Sequence, residues 1–370
     1  MKQDFKIDKT GWKKVKFGDV CRLINHTSRN PKAEGFQHVV GLEHIEPNNL
    51  HIRSCGSTED DTTFTRIFRK GQVLFGRRRA YQRKVTFAEF DGICSGDIMV
   101  FEAIREKLLP ELLPFIVQSD GFFNCAVDTS AGSLSPRTKF ADLANYEFLL
   151  PPKEAQPRFA ELLWAADEVV ERNLDVKEQI EFAFSRKRIE LLGNCINGRY
   201  FENTKNHIRI SNILLNEKSN VGKVDTTEYL SKGEIPIIDQ SINEIAGYSN
   251  RDELKYSGRL PVIIFGDHTL NIKYIDYPFI LGADGTKILR TDETFNCKYV
   301  YYCLKNLTLI PQGYRRHFSI LKECNIPFLP IIEQCNIVKL LDMFESQIKK
   351  IEIFIQQSQH LKSALINQIF

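Results

Sequence analysis

Two stretches of the chain place apolar residues at alternating steps of four and three. From 154 to 193 the stripe passes through Phe159, Leu163, Ala166, Val170, Asn173, Lys177, Ile180, Phe184, Lys187 and Leu191. From 333 to 370 it passes through Ile337, Leu341, Phe344, Ile348, Ile351, Ile355, Ser358, Lys362, Leu365 and Ile369. A 4-3 stripe sustained this long predicts two long helices packed as a coiled coil. The alternative is a pair of core helices inside ordinary globular domains. Asn173, Lys177, Ser358 and Lys362 interrupt the apolar series, and either set the register or lie where the stripe faces water. Elsewhere the pattern changes to short apolar runs bounded by Gly, Asn and Asp, such as Val39–Leu42, Gln72–Phe75, Pro236–Ile238 and Leu260–Phe265. These predict strands, with shorter helical pieces around Pro110–Gln118 and Lys298–Leu304.

The chain is also written twice. Val15, Phe17 and Val20 answer Ile208, Ile210 and Ile213, and Val73-Leu74-Phe75-Gly76 answers Ile263-Ile264-Phe265-Gly266. Asn145 and Phe148 answer Asn325 and Phe328, then each half meets proline (Pro151-Pro152, Pro330) before the glutamine, Gln156 or Gln334, that opens a long stripe. An internal repeat of this kind makes two versions of one scaffold with different loops. The expected fold is α+β, with two pseudo-repeated α/β modules separated by two long helices packed as an antiparallel coiled coil. The expected divisions are a first module at 1–153, a spacer helix at 154–193, a linker at 194–205, a second module at 206–332 and a C-terminal helix at 333–370.

Composition narrows the function classes. The 370 residues are 42% hydrophobic and 26% charged, enough apolar material for packed cores in at least two domains. No run approaches the ~20 apolar residues of a membrane span, and the charged N-terminus lacks a signal-peptide pattern, so a cytoplasmic protein with no membrane partner is expected. The nine cysteines include no CxxC pair or zinc-finger spacing, and no metal site is expected. A net charge of +3 says little about an anionic partner; the clustering of the basic residues says more.

Arg77, Arg78, Arg79, Tyr81, Arg83 and Lys84 follow directly on an apolar strand. Arginine forks suit phosphate oxygens and the O6/N7 edge of guanine, so this loop is a candidate for DNA contact. Ser133, Arg137 and Lys139 form a second candidate segment. The second half carries a different set at corresponding places: Asp267, His268, Asn271 and Lys273 after Phe265-Gly266, then Gln312, Tyr314, Arg315 and Arg316 before the last helix. Asn and Gln suit adenine and Asp suits cytosine, so this half should read different bases. Gln240 and Ser241 are further candidates, though such residues equally serve turns.

The motifs of chemistry are missing. The chain has no glycine-rich cofactor loop with an Asn/Asp-Pro-Pro-aromatic string, no GxxxxGK[ST] and no GxSxG. Asp239 followed by Glu253 and Lys255 is a weak nuclease-like spacing, present in one half only. No catalytic residue is expected.

In order and in duplicate, these strings resemble the specificity subunits of type I restriction-modification systems. Trp12–Val20 is similar to that family's domain opening, HVVGLEHIE (38–46) to its first strand and loop, GQVLFGRRRAYQRK (71–84) with DGICS (91–95) to its core, and GEIPIIDQ (233–240) to its other opening. The resemblance implies two target-recognition domains, double-stranded DNA as ligand, two methylation subunits and restriction subunits as partners, and S-adenosylmethionine, ATP and Mg²⁺ on those partners rather than on this chain. It implies no individual base contacts. A helix of about 38 residues is roughly 57 Å long, against roughly 34 Å for a turn of duplex, so a bipartite, asymmetric target with an unread gap is expected. The rival reading is a coiled-coil scaffold without sequence-specific DNA binding.

Overall fold

The computed structural model describes residues 7–60, 62–193, 195–196, 199–200, 206–215, 222–282, 285–309 and 317–370. They form two compact units. One runs to Leu174 and takes in Ile353–Phe370; the other is Asp175–Glu352.

Among the described residues the first unit contains ten strands: β1 (Lys13–Lys16), β2 (Cys21–Ile24), β3 (His38–Val40), β4 (Gly56–Ser57), β5 (Arg66–Phe68), β6 (Val73–Gly76), β7 (Val85–Phe87), β8 (Gly92–Cys94), β9 (Ile98–Ala103) and β10 (Glu147–Leu150). Helices α1 (Leu113–Gln118) and α2 (Asp120–Asp128) precede β10, and the long α3 (Gln156–Leu192) follows it. The sheets run β2-β9-β6-β7 and β4-β3-β8-β5, with β1 paired to β10. β6 is apolar throughout because both of its faces are covered. Val73 and Phe75 pack with Phe101 and Phe122 on one side, while Leu74 packs with Ile98 and Val100 on the other.

The second unit repeats these pairings. Its strands include β11 (His207–Arg209), β12 (Ile235–Ile238), β13 (Gly247–Ser249), β14 (Val262–Gly266), β15 (Ile272–Ile275), β16 (Ile280–Leu281) and β17 (Thr286–Leu289), followed by α4 (Cys297–Asn306), α5 (Phe318–Glu323), β18 (Asn325–Pro327) and the long α6 (Ile331–Ile369). As β3 lies between antiparallel β4 and parallel β8, so β12 lies between antiparallel β13 and parallel β16. As β6 lies between antiparallel β7 and β9, so β14 lies between β15 and β17. As β1 pairs with β10, so β11 pairs with β18. β14 is again two-faced, with Ile263 and Phe265 in one cluster and Val262 and Ile264 in another.

The repeated glutamine seals the start of each long helix. Gln156 is 1% exposed: its Oε1 accepts from Leu109 N at 2.7 Å, and its Nε2 donates to the carbonyls of Lys107 (3.1 Å) and Pro151 (3.2 Å). Gln334 does the same in the second unit, accepting from Asn296 N at 2.8 Å and donating to the carbonyls of Thr294 (3.3 Å) and Leu329 (2.8 Å). Only a side chain with both an acceptor and two N–H groups meets this set. Pro157 stands in the first turn of α3, where a missing N–H costs nothing.

The 4-3 stripes are the contact faces of the two helices. In the first unit Phe159, Leu163 and Val170 of α3, and Ile355, Leu365 and Ile369 of α6, are buried or half-buried. In the second, Ile180, Phe184 and Leu191 of α3 and Ile337, Leu341, Phe344, Ile348 and Ile351 of α6 are buried or half-buried. The direction is antiparallel. In the first unit Lys362 Nζ donates to Asp167 Oδ1 at 2.6 Å and Asn173 Nδ2 to Ser358 Oγ at 3.2 Å. In the second, Lys177 Nζ lies 3.0 Å from Glu352 Oε1 and the rings of Phe184 and Phe344 are 5.8 Å apart. Asn173 and Ser358 are thus cross-helix partners of each other, and Lys177 and Lys362 each pair with a carboxylate on the facing helix, which favours register over exposure to water. Among the described residues no helix is long and apolar enough to cross a membrane.

Candidate nucleic-acid interface

In the first unit the two basic segments singled out by the sequence are neighbours. After β6 the backbone is bound on one side, Arg77 N to Asp97 O at 2.9 Å, and on the other by Thr138 N to Arg77 O at 3.1 Å and Arg79 N to Pro136 O at 2.8 Å. Residues 131–137 form a small hairpin closed by reciprocal bonds between Ala131 and Arg137 (3.1 and 3.0 Å). This brings Arg77, Arg78 and Arg79 against Ser135–Thr138, in the segment that also carries Ser133 and Lys139.

Asp97, which the sequence did not single out, organises the cluster. Its two oxygens accept from Arg137 Nε (2.7 Å) and Nη2 (3.1 Å), and Arg78 Nη1 lies 3.7 Å away. The hydrogen bond to Arg137 holds its carboxyl below the ordinary value, with the charges of Arg137, Arg78 and Arg77 adding to the effect against partial burial. Arg78 also donates from Nη2 to Ser135 Oγ at 3.0 Å. The Nε atoms of Arg77 and Arg78 have no partner among the described residues. One carboxylate among these cations leaves a net positive surface, as an anionic ligand requires.

The loop holds an unusual backbone. Arg79 and Arg83, on either side of the turn Ala80–Gln82, both have φ of 54°, the left-handed region that side chains disfavour. Tyr81 is thereby pushed outward, 59% exposed. Arg83 and Lys84 turn inward. Arg83 donates from Nε to Asn48 Oδ1 (2.9 Å) and from Nη2 to Gln118 O (2.8 Å), pairs with Asp120 at 2.8 Å, and lies 4.5 Å over the Phe123 ring. Lys84 Nζ donates to Leu42 O at 2.6 Å. Both brace the loop from behind.

The corresponding place in the second unit carries different chemistry on the same frame. Gln240 lies against the loop that follows β14: its carbonyl accepts from Thr269 Oγ1 (2.6 Å) and Asn271 Nδ2 (2.9 Å), and its Oε1 from His268 N (3.3 Å). Ser241 follows, its N–H held by Asp239 Oδ1 at 2.9 Å. Lys273 is buried and donates to Asn243 O at 2.5 Å, with Asp239 3.8 Å away; burial pulls its pKa down. Asp267, offered by the sequence as an acceptor for cytosine, is also buried and accepts from Phe318 N at 2.7 Å. Gln312, Tyr314, Arg315 and Arg316 lie outside the described residues. The nuclease-like spacing does not assemble: Asp239 faces Lys273, whereas Glu253 pairs with Arg251 at 2.9 Å and Lys255 with Asp252 at 2.9 Å.

Residues 9–181 match the family model of the type I restriction modification DNA specificity domain. The matched segment is just under half of the chain. Its curated relatives include the type I restriction enzyme HindI specificity subunit of Haemophilus influenzae, 22% identical over 179 residues, 46% of this chain and 38% of the relative. The EcoDI specificity subunit of Escherichia coli is 26% identical over 142 residues, 36% of this chain and 31% of that protein. These alignments therefore span less than two-fifths of the curated relatives. The fold extends further. A type I restriction-modification system S subunit from M. genitalium superposes with a TM-score of 0.62 at 15% identity, covering 100% of this chain and 98% of that one. A chain solved in work on complex assembly and conformational transition of the type I R-M system gives 0.57 at 18% identity, covering 97% of both. The basic surface around Asp97 thus lies inside the matched segment, and the second unit repeats its strand pairings.

Proposed function

We propose that this chain is the DNA-recognition subunit of a type I restriction-modification complex, in which each unit reads one half of a split, asymmetric target. The observation that carries the proposal is the pairing of one strand scaffold, present twice, with unlike polar groups at equivalent loops. Arginines at the first place favour phosphates and guanine, while Gln240 and Asn271 at the second favour adenine. The outward apolar side chains of the long helices, among them Phe182, Phe354 and Leu361, offer docking surface for two methylation subunits, with restriction subunits joining that assembly. S-adenosylmethionine, ATP and Mg²⁺ belong to those partners, and methyl transfer and cleavage are their chemistry.

The test is selection from a random duplex pool by the full chain assembled with its methylation subunits. Two separated blocks of fixed sequence are expected; a single block, or binding without sequence preference, overturns the proposal and favours a scaffold role. In the same assay Arg78→Ala is expected to cost about 1–3 kcal/mol, confined to one half-site, if the guanidinium reads a base. Uniform weakening over all sequences assigns it to phosphate. A heptad inserted into α3, with its antiparallel counterpart inserted into α6, is expected to change the gap and leave both half-sites intact.

A further inference from the structure

Two apolar side chains stand out of the candidate interfaces, one in each unit. Leu134 is 89% exposed and Ile242 is 88% exposed, the highest values among the large apolar side chains of the described residues. Single exposed apolar residues are ordinary; the coincidence of both extremes with the two candidate interfaces is not. Leu134 is at the tip of the hairpin closed by Ala131 and Arg137, next to Ser135, which receives Arg78. Ile242 is at the tip of a turn clamped on both sides, with Gln240 O held by Thr269 and Asn271 and Asn243 O held by Lys273.

Loops fastened in this way cannot fold their tips back into a core, so the apolar surface stays in water until a ligand covers it. The neighbouring groups hydrogen-bond, and they can read the donors and acceptors of base edges. An apolar tip reads none of these. The apolar feature that a base edge presents in the major groove is the C5-methyl of thymine. We propose that Leu134 and Ile242 are specificity-determining residues, each reading a thymine in its own half-site by contact with that methyl. This rests on the DNA-recognition reading above.

The experiment uses the full chain with its methylation subunits, on target duplexes in which each thymine in turn is replaced by uracil, which lacks only the methyl. With the unaltered chain, uracil at one position of each half-site is expected to weaken binding roughly four- to tenfold, the scale of one buried apolar carbon group. Leu134→Ala should abolish the thymine-uracil difference in one half-site, and Ile242→Ala in the other. Both variants should melt as the parent does, because the tips contribute little to the core. Failure to find any sequence-dependent target would remove the recognition reading itself. A defined target that tolerates uracil at every thymine, or variants that still distinguish the two bases, would leave recognition standing and overturn this inference.

Discussion

Replacing Asp167 with alanine is expected to destabilise the first unit by about 3–5 kcal/mol, the cost of leaving a buried charge without its partner. Asp167 of α3 is 2% exposed and serves two cations: Lys362 of α6 at 2.6 Å and His51 Nε2 at 2.8 Å. Burial pushes its carboxyl up, but His51 and Lys362 together outweigh burial and hold it below its ordinary value. His51 also reaches Glu89 through Nδ1 at 2.8 Å, so one carboxylate fastens both the partner helix and the sheet loop around residue 51. Both tryptophans of the chain, Trp12 and Trp164, lie in this unit, so denaturant unfolding followed by their fluorescence reports on it. A midpoint unchanged in the variant would mean that Lys362 finds water or another partner. Replacing Asp167 and Lys362 together with leucine should recover most of the loss, since apolar packing commonly matches a buried pair.

The same network carries a pH dependence. The hydrogen bond to Asp167, with help from Glu89 and Glu171 and against burial, raises the folded pKa of His51 from 6.5 to about 9. A raised folded pKa means that the contribution of His51 is complete below about 6.5 and is lost as pH rises through about 9. The depressed Asp167 acts at the other end: its contribution is present above 3.8 and lost as pH falls through its folded value. Stability of the first unit should therefore fall between neutral pH and pH 9, and His51→Gln should flatten that fall.

Gln156→Ala should have the second-largest effect. The amide N–H of Leu109 would lose its acceptor inside the protein, and the carbonyls of Lys107 and Pro151 would lose their donor. A buried group left unsatisfied costs about 1–3 kcal/mol, and the cavity left by the side chain adds to this. Gln156→Glu restores the acceptor but sets a negative charge against two carbonyls, so it should not rescue. Gln334→Ala should behave likewise in the second unit, whose unfolding is followed by far-ultraviolet circular dichroism. Equal stability in parent and variant would mean that water takes over all three bonds.

Much of this was legible in the residues. The stripes through Leu163 and Leu341 identify the helix contacts because a packed helix must repeat its apolar face every three to four residues. The two-faced strands β6 and β14 show as unbroken apolar runs for a related reason, since neither face meets water. The recurrent Gln156 and Gln334 were visible as a pattern, but their task was not, because it depends on carbonyls brought in from distant parts of the chain. The candidate interface was half legible. Arg77, Arg78 and Arg79 are marked by charge density, whereas Asp97 is one acidic residue among many until folding sets it between Arg78 and Arg137. Arg83 and Lys84 carry the same charge as their neighbours, and only the fold turns them inward onto Asn48, Gln118 and Leu42.

The central claim is that this chain selects where its partners act. Its most direct test is a genome-wide map of methylated adenines in cells that carry the methylation subunits, with and without this chain. The expected result is a split, asymmetric motif whose methylation disappears when the chain is removed and changes in one half when Arg77–Arg79 are replaced by alanine. Methylation that persists without the chain, or that follows a continuous motif, would contradict the account.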